Sequence, residues 1–178
     1  MNTKYKMAIF DLDGTVLDTI YGLAFSMNAT RREFNLPEQP QDKVQAMVGN
    51  GIRKLIERST ADDKDVDRGA LYDYFMSYYG EHCVELTKPY DGIIDMLKCV
   101  RNSGMKTCIS TNKPDAPAKD LIDSLLPDLF DYVQGQIDGI PLSFRHRSLK
   151  ETQGFSSITA LKFISPYGIC LIFYTPFL

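Results

Sequence analysis

Two carboxylates stand two residues apart in Asp11-Leu12-Asp13-Gly14-Thr15, directly after the apolar run Met7-Ala8-Ile9-Phe10. As the chain leaves a strand, both side chains project from a turn in the same general direction. Gly14 permits backbone dihedrals that other residues resist. Such a pair suits covalent catalysis. One carboxylate attacks an electrophile and forms an acyl-phosphate; the other protonates the leaving oxygen and later deprotonates water. The Asp11 carboxylate and a backbone carbonyl at Asp13 also suit Mg²⁺, a hard ion that prefers oxygen. A second constellation is Ser110-Thr111-Asn112-Lys113-Pro114. Its hydroxyl, amide and ammonium groups stand just before a helix start. Together they can cradle a phosphate, helped by the positive end of the helix. Alone, a Ser, Thr or Asn before proline is explained as an N-cap. The first motif, placed straight after an apolar strand, is what gives the second its functional weight.

Both motifs need strands to present them. Lys4–Phe10 turns apolar and ends in acids and a glycine, which predicts a short buried strand. Residues 16 to about 34 read as a helix closed by Asn35 and Pro37. Residues 41–58 read as helical but are split by Gly49-Asn50-Gly51. A third helical region, rich in tyrosine, covers 65–84. After the loop Lys88-Pro89-Tyr90-Asp91-Gly92, the residues Ile93, Met96, Leu97 and Val100 share one helical face, and Gly104 stands at a C-cap position. Met105–Ser110 reads as a second strand. Pro114 opens a further helix with Leu121, Ile122, Leu125 and Leu126 on one side, and Tyr132–Gln134 reads as a third strand. Strands that alternate with helices predict a parallel sheet covered by helices, with ligands bound beyond the carboxyl ends of the strands. That is where Asp11 and Thr111 fall.

The chain has 178 residues, 44% hydrophobic and 24% charged, and can bury a core without disulfides or metal staples. A net charge of -3 argues against a nucleic-acid partner held by bulk electrostatics. Four scattered cysteines with no CxxC pair read as reduced thiols of a cytoplasmic protein. The apolar run before Asp11 is too short for a signal peptide. The uncharged stretch 163–178 falls short of the roughly 20 residues of a spanning helix, so no membrane partner is expected. His82 reads as a packed residue, the Tyr72, Tyr74, Phe75, Tyr78, Tyr79 cluster as helical core, Arg31-Arg32 as a solvated helix face, and Asp62–Asp67 as a solvated loop or helix start.

On these motifs the chain resembles the haloacid dehalogenase superfamily, and within it the phosphoglycolate phosphatase branch. Asp11-Leu12-Asp13-Gly14-Thr15 with Val16-Leu17-Asp18-Thr19 is similar to the family's first motif, and Thr111-Asn112-Lys113-Pro114 to its second. Leu86-Thr87-Lys88-Pro89-Tyr90-Asp91-Gly92 resembles the segment that re-enters the core. The resemblance runs from residue 4 to about 140. It implies an α/β fold: a Rossmann-like parallel sheet core (1–15 and 85–140), incomplete here, with an inserted all-helical cap (16–84) and an atypical tail (141–178). It implies a Mg²⁺-dependent phosphomonoester hydrolase acting on a small phosphorylated metabolite. Asp11 would be the nucleophile, Asp13 the general acid/base, and both would serve the metal. Thr111, Asn112 and Lys113 would bind phosphate, and Gly49, Asn50 and Gly51 would form a cap loop reaching toward substrate. An Asp at position 13 favours phosphoryl transfer over dehalogenation, because only an alkoxide leaving group needs a proton.

The same pattern expects a later lysine, often followed by proline, and then an acidic pair. After Gly135-Gln136-Ile137-Asp138-Gly139-Ile140-Pro141 no Lys-Pro occurs, and Glu151 is the last acid. Composition changes at the same point. Residues 1–140 hold 22 of the 23 acids and 16 of the 20 basic residues, whereas 141–178 hold one acid and four basic residues. This coincidence reads as a change of reading frame near Leu142. The competing reading has Lys150 or Arg145 substitute for the lysine. The alternatives to a phosphoglycolate phosphatase-like hydrolase are therefore a catalytically incomplete remnant that binds phosphate or a partner or does nothing, another phosphatase of the superfamily, or a sugar phosphomutase.

Overall fold

The computed structural model describes residues 5–63 and 65–137, and the backbone of strands 155–163 and 170–176. In chain order the elements are β1 (Met7–Phe10), β2 (Leu17–Asp18), α1 (Ile20–Glu33), α2 (Gln41–Met47), α3 (Ile52–Ser59), α4 (Arg68–His82), β3 (Lys88–Pro89), α5 (Ile93–Asn102), β4 (Lys106–Pro114), α6 (Asp115–Leu125), β5 (Tyr132–Gln136), β6 (Phe155–Phe163) and β7 (Cys170–Pro176). They fall into two units, residues 1–18 with 89–178, and residues 19–88.

The first unit is an α/β layer structure. Its sheet has the order β5-β4-β1-β7-β6. All four residues of β1 are buried, as expected of a strand with neighbours on both edges and helices on its faces. β1 pairs in parallel with β4, and β4 in parallel with β5. This is the parallel core the alternating pattern predicted, with α5 packed on β4, and α6 on β4 and β5. Leu97 of α5 and Leu121 and Ile122 of α6 are buried.

The tail adds two strands that periodicity did not reveal. β7 pairs antiparallel with β1, and β6 antiparallel with β7. Six residues separate β6 from β7. A parallel return needs a crossover of about a dozen residues or more, so so short a link permits only the antiparallel hairpin.

Where β4 begins, the Asp131 carboxylate accepts hydrogen bonds from the Thr107 N–H (2.9 Å) and Arg101 Nη1 (2.8 Å). The Thr107 hydroxyl donates to the Leu129 carbonyl at 2.6 Å. This ties the start of β4 to the segment leading into β5. Beside it, burial, and after it the charge of Asp131, push the Cys108 thiol up to about 12. Cys83 and Cys108 are buried and Cys99 is exposed. A thiol reagent at pH 8, read by peptide mass mapping, should therefore modify Cys99 in the native protein and reach Cys83 and Cys108 only on unfolding.

The second unit is helical. A predicted helix start at residue 16 is corrected to Ile20. The N–H groups of Thr15, Val16 and Leu17 all turn onto the Leu12 carbonyl (3.2, 3.0 and 3.1 Å), and β2 follows. The expected stop at Asn35 holds: its φ is +55°, the left-handed conformation that asparagine tolerates at a helix end. Asp67 caps α4 by accepting from the Gly69 and Ala70 N–H groups. Phe75 and Tyr79 are buried and stacked, as helical core. Tyr74 and Tyr78 are half-buried, and His82 stacks on Tyr78 at 4.3 Å between ring centroids. His82 is thus a packed residue.

The solvated reading of Arg31-Arg32 is half right. Arg32 is exposed. The Arg31 side chain is only 4% exposed and donates to the Pro37 carbonyl at 2.6 Å, to the Ser59 carbonyl, and to Asp63 Oδ2 at 3.4 Å. A 3.6-residue turn sends adjacent side chains about 100° apart, so one points to water and the other inward.

Candidate active site

Parallel pairing of β1 with β4 makes both strands end on the same side of the sheet, with Phe10 opposite Ile109. The Asp11-to-Thr15 loop leaves β1 there. Gly14 has φ +71°, and its N–H returns to the Leu17 carbonyl at 3.0 Å. No atom lies within 4 Å of where a Gly14 Cβ would stand, so the left-handed dihedral, and not space, calls for glycine.

The loop aims the two carboxylates differently. Asp11 Oδ1 accepts the Leu12 N–H at 2.8 Å. Burial is the main influence on Asp11 and holds its carboxyl above the usual carboxylate range. The Leu12 N–H opposes that shift, Asp13 adds to it, and Thr111 and Lys113 oppose it in turn. Asp13 Oδ1 instead takes the Lys113 ammonium at 2.9 Å; the lysine side chain is 1% exposed and that of Asp13 18%. Thr111, Asn112 and Lys113 lie within β4 itself, which runs on to Pro114. The sequence pattern had placed them in a loop after the strand. The Lys113 N–H donates to Thr111 Oγ1 at 3.2 Å.

Four of the expected residues are therefore linked: Asp13 pairs with Lys113, the Lys113 N–H donates to Thr111, and Asp13, Thr111 and Lys113 all act on Asp11, with Asn112 between Thr111 and Lys113. Gly49, Asn50 and Gly51 lie in the helical unit, between α2 and α3. There Arg58 holds the loop by donating from Nη1 to the Met47 carbonyl and from Nη2 to Asn50 Oδ1, both at 2.6 Å. Sequence reading missed Arg58; its only signal is an arginine two turns into the helix that follows the glycine pair. Arg145, Lys150 and Glu151 lie outside the described residues.

The donor set suits a hard divalent cation. Asp11 offers a carboxylate whose ionised form burial disfavours, so a neighbouring cation would relieve it, and the Asp13 backbone carbonyl is a second oxygen. Among the described residues no group of three His, Cys, Asp or Glu side chains gathers to hold a metal.

The raised Asp11 pKa is a statement about stability. Its ionised form is penalised in the folded state, so stability falls as pH rises from the unfolded value of 3.8 through the raised folded value. Asp11→Asn should consequently raise the melting temperature of the metal-free protein at pH 7. The gain should fade as pH is lowered from the raised folded value toward 3.8 and be absent below it, and thermal melts in chelator across that range check it.

The two sequence motifs thus meet on one α/β core, an aspartate pair at the end of one strand and a hydroxyl and a lysine on the next. The chain belongs to the haloacid dehalogenase-like hydrolase family, whose profile matches residues 8–138. It is 33% identical over 122 residues to a phosphoglycolate phosphatase of Haemophilus influenzae, covering 64% of this chain and 54% of that protein. It is 31% identical over 125 residues to an N-acetylmuramic acid 6-phosphate phosphatase of Pseudomonas aeruginosa, covering 68% and 54%. A crystal structure of a predicted phosphoglycolate phosphatase from Haemophilus somnus superposes with a TM-score of 0.74 at 25% identity, covering 85% of this chain and 74% of that one. The chain thus spans about half the length of these two curated relatives. No helix among the described residues is long and apolar enough to cross a membrane.

Proposed function

We propose that the chain is a cytoplasmic phosphomonoester hydrolase acting on a small phosphorylated metabolite, with 2-phosphoglycolate the first candidate. The observation that carries this reading is the contact of Lys113 with Asp13 beside Asp11. It brings two carboxylates and a cation together on adjacent strand ends, which supports the roles that follow. Asp11 attacks phosphorus and forms an aspartyl-phosphate while the ester oxygen leaves. Asp13, released from Lys113 and protonated from solvent, gives that oxygen a proton, and later takes one back from the water that hydrolyses the acyl-phosphate. Thr111 and Asn112 hydrogen-bond the phosphoryl oxygens. Lys113 exchanges Asp13 for a phosphoryl oxygen as substrate enters, which frees Asp13 for its proton transfers. Mg²⁺, held by the Asp11 carboxylate and the Asp13 carbonyl, supplies charge neutralisation when bound. The loop 49–51, braced by Arg58, is the candidate for reading the non-phosphate end of the substrate.

The names of the relatives support the phosphomonoester class and leave its members to be ranked. The test is phosphate release by the purified full chain with Mg²⁺ from 2-phosphoglycolate, N-acetylmuramic acid 6-phosphate and a hexose phosphate. Fastest release from 2-phosphoglycolate is the expected result, and a faster sugar phosphate would move the substrate. Phosphate binding without turnover of any ester would select the incomplete remnant.

A further inference from the structure

The pairing of β4 with β5 is interrupted. Ser110 lies opposite Gln134 and Pro114 opposite Gln136, with a shift of register between them. Three β4 residues, Thr111, Asn112 and Lys113, thus face a single β5 residue, Gly135. The whole phosphate-binding set stands on a bulge, a device that re-aims side chains. A Cβ on Gly135 would lie 2.4 Å from Asp115 Cα, 2.7 Å from Asp115 N and 2.8 Å from the Lys113 carbonyl oxygen. All three are backbone atoms, so no side-chain rotation relieves the clash. The Gly135 N–H donates to Asp115 Oδ1 at 2.9 Å, while Asp115 Oδ2 takes Lys119 at 2.6 Å.

We propose that Gly135 and Asp115 are a positioning pair for catalysis: the bare backbone of β5 closes on the β4–α6 junction and fixes the bulge from which Lys113 reaches Asp13. The pair touches no substrate and acts through Lys113. The inference rests on the reading of Thr111–Lys113 as the phosphate site.

The test uses the full chain and inorganic phosphate as probe, with affinity measured by calorimetry. Losing one charge-assisted hydrogen bond costs roughly 10- to 100-fold in affinity, so Gly135→Ala, by displacing Lys113, should weaken phosphate binding by about that factor. Asp115→Ala should weaken it too, whereas Asp115→Asn, which keeps the acceptor for the Gly135 N–H, should restore it, and Lys119→Met should leave it unchanged. In a Lys113→Met background, Gly135→Ala should lose most of its effect, because the Lys113 route is already cut and only Thr111 and Asn112 remain. A merely structural role would give the same loss in both backgrounds. Equal losses, or wild-type affinity in Gly135→Ala, overturn the proposal. If Gly135→Ala does not fold, the Asp115 pair of variants decides. If the wild-type chain binds no phosphate, the phosphate reading itself fails. The geometry is then judged by a crystal structure of Gly135→Ala: Lys113 beyond about 4 Å from Asp13, the outer limit of an ion pair, supports the positioning role, and an unmoved lysine refutes it.

Discussion

Lys113→Met is expected to slow phosphate-ester hydrolysis by roughly 100- to 1,000-fold, or about 3–4 kcal/mol, the cost of removing one aimed charge from a transition state. Methionine retains much of the apolar stem in a slot where the lysine side chain is 1% exposed, so the fold survives. What goes is the charge that faces both carboxylates. Asp13 loses its cation, and Asp11 loses one of the influences that favour its ionised form. An arriving phosphate dianion then meets two carboxylates without the ammonium. Lys113→Arg is not conservative here, since a planar guanidinium does not fit a slot shaped to a compact point charge, and should recover only part of the rate. Steady-state kinetics on folded variants check both. A Lys113→Met rate within threefold of wild type would remove the lysine from the mechanism.

The second large effect is in the helical unit. Arg31→Met should destabilise it by about 3 kcal/mol, because the hydrogen bonds from a charged donor to the Pro37 and Ser59 carbonyls disappear at roughly 1.5–3 kcal/mol each, together with the longer pairing to Asp63, partly offset by water at the Pro37 carbonyl. The Ser59 carbonyl keeps its bond from Gln39 Nε2 at 3.0 Å, which limits the loss. For a chain of this size the change lowers the melting temperature by roughly 6–12 °C. Amide exchange should accelerate first across 19–88, the unit that Arg31 braces. Arg32→Met, one residue away and exposed, should leave both unchanged. Equal effects from the two variants would contradict the assignment of Arg31 as the brace.

These adjacent arginines also show where sequence reasoning stops. The Asp11 and Thr111 motifs, the alternation that makes their strands parallel, and the helix stop at Asn35 were all legible. Each is a local property: a hard-ion and nucleophile pattern, a period, a backbone preference. Arg31 was not legible, because its burial depends on carbonyls at Pro37 and Ser59 that only tertiary packing brings together. The Lys113–Asp13 ion pair joins residues 100 apart in the chain. It stands where three residues of β4 face the single Gly135 of β5, and nothing in the spacing of Thr111, Asn112 and Lys113 reveals it. Strands β6 and β7 were missed because the tail breaks the helix–strand alternation on which the rest of the reading relied.

The most direct measurement is phosphate release from 2-phosphoglycolate by the purified full chain with Mg²⁺, set against Asp11→Asn. Asparagine is nearly isosteric and can still accept the Leu12 N–H, but it cannot form an acyl-phosphate. The account predicts release by the wild-type chain that falls to background in the variant while the variant stays folded. Equal release from both proteins would contradict Asp11 as nucleophile, and with it the assignment of this strand end as the active site.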